Sequence, residues 1–371
     1  MQIKRVELYH TKMELVSPFT TSMGTEYDEE HIMVRVDAEG LTGWGESVAE
    51  GTPFYSYETV QTAWHILEDF LIPSILGKNL SSIDEAISLY SKVRGHMMAK
   101  AGLEAALWDV FAKSKKISLS KLLGGTRSKV DVGVSIGIQK SESDLIKTVN
   151  NYLKEGYKRI KIKISPGYDI QFVKALRKEF PDVLLQVDAN SAYELKHINL
   201  FKEMDNYNLL LIEQPLGYED IYDHSKLQRE LKTPICLDES IHSLDDTRAA
   251  IELDSCRVIN IKPGRVGGFT ESILIHDYCS SKNIPVWHGG MLESGIGRAG
   301  NVALASLPNF TLPGDISASK RYYKEDIVEP EFTVNKDGTM DVPTKPGIGV
   351  EVNLEKLEKV TIRKKEFNPN K

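Results

Sequence analysis

Five ionisable residues punctuate the middle of this 371-residue chain at nearly constant intervals: Lys163, Asp188, Glu213, Asp238 and Lys262, spaced by 25, 25, 25 and 24 residues. Each sits at the end of a short apolar run, within IKIK, LLQVD, LLLIE, PICLD and VINIK. Three carboxylates brought close together repel one another, and a bound divalent cation removes that repulsion. Their all-oxygen character, with no His or Cys among them, favours Mg²⁺, with Mn²⁺ as a substitute, over zinc. Asp188, Glu213 and Asp238 are therefore candidate metal ligands, and about half of an octahedron stays free for substrate. A substrate carboxylate on such an ion has its α-proton acidified, because the ion stabilises the developing enediolate. A lysine whose pKa is depressed by neighbouring ammonium groups can take that proton. A second lysine can stabilise the intermediate or work on the opposite face.

The elements that must position these residues follow from the same spacing. A βα unit of a barrel takes about this many residues, since roughly 250 make eight units. Apolar runs near residues 130, 159, 183, 209, 234, 257, 284 and 310 predict eight strands. Helical segments between them imply parallel pairing. In Ile160-Lys161-Ile162-Lys163-Ile164 the isoleucines share one face and the lysines the other. Isoleucine suits the helix-covered outside, so Lys161 and Lys163 point into the barrel. Asn190, two residues past Asp188, falls on that residue's face, within reach of substrate or of a metal-bound water. Ser135 lies on the first barrel strand, between Val134 and Ile136, and is counted with the substrate-binding residues.

Outside this region the pattern differs. Residues 1–47 read as strands. Between about 57 and 123 the pattern is helical, with a mostly apolar stripe through Leu103, Leu107, Val110 and Ser114. From about 321 strands and turns return, with a hairpin cue in VNKDGTMDV. The expected architecture is α/β: a (β/α)8-type barrel over 126–320, an α+β capping domain over 1–125, and a C-terminal segment, 321–371, returning to that domain. Loops around Phe19 to Met23 and Thr52 to Tyr55 carry aromatics near the mouth. Phe19 and Tyr55 there serve either cap packing or substrate.

With 46 basic and 53 acidic residues the net charge is −7, which leaves no electrostatic footprint for nucleic acid. The basic tail Arg363-Lys364-Lys365 reads as a solvated end. Cys236, Cys256 and Cys279 are odd in number and lack ligand spacing. Cys236, two residues before Asp238, reads as a buried reduced thiol one layer deeper in the barrel. This is a cytosolic cysteine pattern. The N-terminus has no apolar signal segment and no run approaches a membrane span. A cytoplasmic enzyme is expected, acting on a small-molecule carboxylate, with neither nucleic acid nor membrane as partner, and homo-oligomeric.

At this point the chain resembles the enolase superfamily, in its muconate-lactonizing-enzyme branch. The resemblance rests on GWGE at Gly43–Glu46, AGLEAALWD, KIKI, VDAN, IEQP, LDES, NIKPGRVGG and GGMLESGIGRA, in order along essentially the whole length. Within the branch it is most similar to the group that holds Bacillus-type o-succinylbenzoate synthases and N-succinylamino acid racemases. That resemblance implies Lys163 as the base and, in a synthase, as the donor to the departing hydroxyl. It implies Lys262 as the partner that stabilises the enediolate and, in a racemase, acts on the opposite face. Lys161 would help hold the substrate carboxylate. Arg265 matches a position associated with the racemase-containing subgroup. His288 ends strand seven, where mandelate-racemase relatives carry a catalytic His paired with an Asp. Here Lys262 replaces that Asp, so the dyad is missing and His288 reads as structural or mouth-lining. Asp315 is a single acid where dipeptide epimerases of the branch carry two.

Gly295 to Gly300 fits G-x-G-x-x-G, yet it follows about seven βα units rather than opening the first, which argues against a dinucleotide site. The better reading is a helix N-terminus at the mouth offering N–H groups to an anionic tail, with Gly290, Met291, Glu293 and Ser294 as substrate-binding residues.

Overall fold

The computed structural model describes residues 1–369. Alternating apolar residues near the N-terminus form a long antiparallel pair, β1 (Ile3–Thr20) and β2 (Thr25–Ala38), in the register Val6↔Val36 and Leu8↔Val34. Strand β3 (Leu41–Ser47) returns through Glu39-Gly40, both at positive φ, the backbone that a two-residue I′ hairpin turn requires. Helix α1 (Met97–Ser114) lies across β3. A Cβ at Gly43 or Gly45 would collide with the carbonyl oxygens of Ala106 and Gly102, so the two glycines of GWGE are what let the helix come this close. The single apolar stripe expected for α1 is exceeded. The helix is buried nearly all round, including Glu104 and Asp109, because the barrel covers its other side.

The second unit is a curled parallel sheet of seven strands: β4 (Gly133–Ile136), β5 (Arg159–Lys163), β6 (Leu184–Asp188), β7 (Ile212–Glu213), β8 (Ile235–Leu237), β9 (Val258–Ile261) and β10 (Val286–His288), paired in chain order. Each strand leads into a helix, and Ile160, Ile162, Val187 and Ile212 are buried in one extended core with residues from those helices.

The eighth run, near 310, is not a regular strand. It makes single parallel bridges, Phe310 to Val286 and Gly314 to Val132, one to each neighbouring strand. Pro313 removes a ladder donor in the middle of it. The barrel closes all the same, with Gly133 N donating to Gly314 O at 2.7 Å and Asp315 N to His288 O at 2.8 Å.

The segment after 321 divides its contacts. The hairpin cue forms a turn, but Thr339–Asp341 pairs with Lys129–Asp131 beside the barrel. Only β11 (Thr361–Phe367) joins the cap sheet, antiparallel to β1, in the order β11-β1-β2-β3. The basic tail is solvated, as expected, and is also an edge strand, with Arg363 4.0 Å over the Trp64 ring and Lys364 4.5 Å over Tyr9. Among the described residues no helix is long and apolar enough to cross a membrane.

Candidate active site

The register of the parallel strands gathers the five spaced residues. Lys163, Asp188 and Glu213 are direct neighbours across β5, β6 and β7. Glu213 then pairs with Cys236, so Asp238 stands two residues further along its strand, the stagger of a sheared barrel. Lys262 follows the end of β9. All three carboxylates are fully buried.

Each carboxylate meets cations. Asp188 Oδ2 accepts from Lys163 Nζ at 2.7 Å and lies 2.9 Å from Lys161 Nζ. Glu213 Oε2 accepts from Lys161 and Gln186, both at 2.9 Å, and Oε1 accepts from Asn260 at 2.8 Å. Asp238 Oδ2 accepts from Lys262 at 2.8 Å, while Oδ1 accepts from Tyr55 Oη at 3.0 Å and from Arg265. Burial would raise Asp188 and Asp238, but Lys161 and Lys163 on the first, and Lys262 and Arg265 on the second, hold both well below the usual carboxylate range. Glu213 goes the other way. Burial, then the charge of Asp188, push it up to about 8, so the ammonium groups do not fully compensate the three acids.

That shortfall, together with the hard oxygen donors, is what a divalent cation would correct, and Asp188, Glu213 and Asp238 fit one on both counts. Among the described residues no three acid, His or Cys side chains are already gathered at ion-binding distance. Each carboxylate holds a lysine or arginine instead. The lysines reflect the same arrangement. Burial alone would lower Lys161 and Lys262, yet their carboxylate neighbours raise both. Each of these two lysines faces acids more closely than it faces another lysine.

Both lysines of IKIK point inward, as alternation predicts, and Lys161 reaches Asp315 Oδ2 at 2.7 Å. Asp315 also lies 2.6 Å from Arg159 Nη1, and Trp287 spreads beneath Lys161 at 5.0 Å. One layer deeper, Cys236 is buried and free, accepting from Trp287 Nε1 at 3.1 Å. Asn190 bridges, accepting from Lys163 Nζ at 2.6 Å and donating to Glu239 at 2.9 Å. Arg265 faces away from the mouth, bonding Asp238, the Ile241 carbonyl at 2.6 Å and the Asn260 carbonyl. His288 is fully buried, stacks on Phe310 at 5.9 Å, and burial holds its pKa down to about 3, as a structural residue would be.

Above these groups lies a cavity that is partly open to solvent. Ser135, Lys161, Lys163, Asn190, Lys262, Gly290, Met291 and Asp315 line it from the barrel, and Phe19, Thr21, Met23, Glu26, Glu50 and Tyr55 from the cap. Tyr55 spans the two units, accepting from Lys262 Nζ at 2.9 Å while it donates to Asp238. Phe54 points out to solvent.

Glu293 and Ser294 are placed elsewhere. Ser294 caps helix α2 (Gly295–Ala305), and the helix N-terminus is already filled by carboxylates of the protein itself. Glu46 of β3 accepts from Ser294 N at 3.0 Å, Ser294 Oγ at 2.6 Å and Gly297 N at 2.8 Å, while Asp326 takes Gly295 N at 2.8 Å. His31 donates to Glu46 at 2.7 Å from behind. The anion site read from the glycine pattern is thus a cap-to-barrel tie and not a substrate contact. Sequence reasoning missed Glu46 in this role, and it missed Gln186, Glu239, Asn260 and Asp315 around the acids. For Gln186 and Asn260 the signal was available, since each stands two places before an inward tip, Asp188 and Lys262.

A strand-tip lysine and acid array under a separate cap defines a class of protein, and the chain belongs to the enolase superfamily. The family profile described as "Enolase C-terminal domain-like" matches residues 144–357, and "Mandelate racemase / muconate lactonizing enzyme, N-terminal domain" matches 3–124. Among its relatives is the o-succinylbenzoate synthase of Bacillus subtilis (strain 168), 51% identical over 97% of this chain and 96% of that one. The N-succinylamino acid racemase of Thermus thermophilus is 47% identical over 98% of each. The crystal structure of an enolase-superfamily member from Listeria innocua Clip11262 superposes with a TM-score of 0.96, at 45% identity over the whole of both chains. Members of this superfamily generally use Mg²⁺.

Proposed function

We propose that the chain is an o-succinylbenzoate synthase, acting in menaquinone biosynthesis, that dehydrates 2-succinyl-6-hydroxy-2,4-cyclohexadiene-1-carboxylate to 2-succinylbenzoate. The observation that carries this reading is that Lys163 and Lys262, four strands apart, open into one cavity with three buried carboxylates on the strands between them. Full-length relatives of that name at about half identity support it.

Mg²⁺ held by Asp188, Glu213 and Asp238 would supply the charge that acidifies the proton beside the substrate carboxylate. Lys163 Nζ, fixed by Asn190, takes that proton. The C–H electron pair becomes the last double bond of the aromatic ring. The C–O pair leaves with the hydroxyl on the same face, to which Lys163 returns the proton, so that water departs. Lys262, anchored by Tyr55 and Asp238, places its charge against the negative charge that develops. Lys161, neutralising Asp188, Glu213 and Asp315 one layer down, keeps the acids close without touching the reacting bond. Aromatisation makes the step downhill, so the demand on the site is the stabilisation of one charged intermediate. The test is the loss of diene absorbance with purified protein and Mg²⁺; no loss overturns the assignment.

A second reading, racemisation of N-succinylamino acids at the same site, draws on Lys262 having its own anchors and facing the same cavity. It is supported by relatives that carry that name. Exchange of the α-proton in D₂O, with inversion, is its test.

A further inference from the structure

The two walls of the cavity carry opposite charge. From the barrel come Lys161, Lys163 and Lys262; from the cap come Glu26 and Glu50. The barrel lysines are spoken for by Asp188, Glu213, Asp238 and Asp315. The cap acids have no such match. Their neighbours on β2, Asp28 and Glu30, pair with Lys12 at 3.0 and 3.2 Å, and Glu30 with His10 at 2.8 Å. No lysine or arginine stands in an ion pair with Glu26 or Glu50 among the described residues.

A third acid lines an adjoining crevice, which shares Glu26 and Glu50 with the cavity. Glu29 is 3% exposed, lines the crevice with Glu26 and Glu50, and its Oε1 has no hydrogen-bond partner. The nearest cation is the His31 ring, 3.9 Å from the other oxygen, and His31 is already committed to Glu46 through its second nitrogen. Buried carboxyls without a counter-charge are expensive to keep. Burial and then Glu26 push up both Glu29 and Glu50. An anionic wall across a cavity from a cationic wall is built to hold a zwitterion lengthwise, carboxylate toward the barrel and cation toward the cap.

We propose that Glu26 and Glu50, backed by Glu29, form a subsite for a cationic substrate tail, so that the site accepts N-acyl derivatives of amino acids whose side chains end in an ammonium or guanidinium. The inference rests on the racemase reading for its turnover but not for its binding. With no cation in place Glu50 keeps its proton up to a pH of about 8, and a bound ammonium favours its ionised form, so the wall turns anionic for a substrate that brings a cation and does not bar one without. It selects by adding attraction to one that has it.

The experiment compares two ligands that differ only by the ammonium group, N-succinyl-L-lysine and N-succinyl-L-norleucine, titrated calorimetrically into the Mg²⁺-loaded protein. The lysine derivative should bind roughly tenfold more tightly, the order of one well-placed charge pair. In the E26Q/E50Q double variant that ratio should fall to about one. Because the readout is a ratio, general damage to the fold lowers both affinities and leaves the ratio alone. Equal binding by the parent protein, tighter binding of the norleucine derivative, no binding of either, or a ratio that survives in the double variant each overturns the subsite. Turnover is scored separately in D₂O. Tight binding of the lysine derivative without α-proton exchange would sink the racemase reading and leave the subsite standing.

Discussion

Glu46 is the side chain through which the cap grips the barrel helix, and removing it should be costly in a calculable way. Its carboxylate is buried and accepts from Ser294 N, Ser294 Oγ, Gly297 N and His31 Nδ1. Glu46→Ala leaves all four donors in a dry interface. The Ser294 hydroxyl can turn and His31 can lose a proton, but the two backbone N–H groups have no alternative partner. Each orphaned buried donor costs about 1–3 kcal/mol, so the substitution should destabilise the protein by about 4 kcal/mol. That is a large share of the roughly 5–15 kcal/mol that holds a folded domain together. With an m-value of about 3 kcal/mol/M, the midpoint of urea unfolding should drop by about 1 M. Glu46→Gln keeps the shape and one oxygen acceptor and should lose about half as much. A second readout separates position from stability. Gly290 and Met291 line the cavity just ahead of α2, so below the unfolding transition KM for the diene should rise more than kcat falls. An alanine variant whose midpoint stays within about 0.3 M of the parent would refute the claim that Glu46 ties the two units.

Four further outcomes are expected. Lys163→Ala should abolish both the dehydration and any α-proton exchange, measured by diene absorbance and by deuterium incorporation; retained exchange would remove Lys163 as the base. Asp238→Asn should weaken Mg²⁺ binding by about tenfold or more in calorimetry, and undiminished affinity would argue against its being a ligand. Asp315, pulled down to about 2 by Arg159 and Lys161 against the effect of burial, contributes stability that is full above the unfolded carboxylate pKa and lost as pH falls through its folded one. The urea-midpoint gap between parent and Asp315→Asn should therefore hold from pH 7 to 5 and close between about pH 4 and 2; a gap that stays open at pH 2 contradicts the pairing. Glu50, raised to about 8, has the opposite sign: its folded state binds the proton more tightly, so stability declines as pH rises from the unfolded value toward 8. Glu50→Gln should raise the thermal midpoint increasingly between pH 5 and 9, and a gain independent of pH would refute the buried acid.

The spaced tips, the inward lysines and the buried Cys236 were legible because period and alternation are local properties of a strand. The same logic reached Asn190, which stands beside Asp188 on one face. It did not reach Glu46. A carboxylate 248 residues earlier in the chain fills the start of α2, and nothing in the GIGRAG pattern records which anion sits there. Nor did it reach the pairing of Asp315 with Lys161 and Arg159, which depends on a closing segment that makes bridges instead of a ladder, with Pro313 interrupting the signal that periodicity reads. Nor could the raised pKa values of Lys161 and Lys262 be read there. The sign of such a shift is set by distances across the barrel, and spacing along the chain carries only the list of charges.

The pairing of β1 with β11 joins residues 6–11 to 361–367, almost the two extremes of the chain. During synthesis β1, β2 and β3 are available early, yet this edge of β1 stays open until Thr361–Phe367 has been made. Such an edge is a template for pairing with another molecule, and contacts this distant in sequence form late. Arg363, Lys364 and Lys365 then supply the charged strand that seals it, with partners already waiting at Glu7 and Glu68. The same β1 ends in Phe19, on the wall of the cavity. The first strand of the active-site roof thereby waits for β11 to seal it, and a product truncated before Thr361 would carry all five strand-tip residues beneath a cap whose first strand lacks one neighbour.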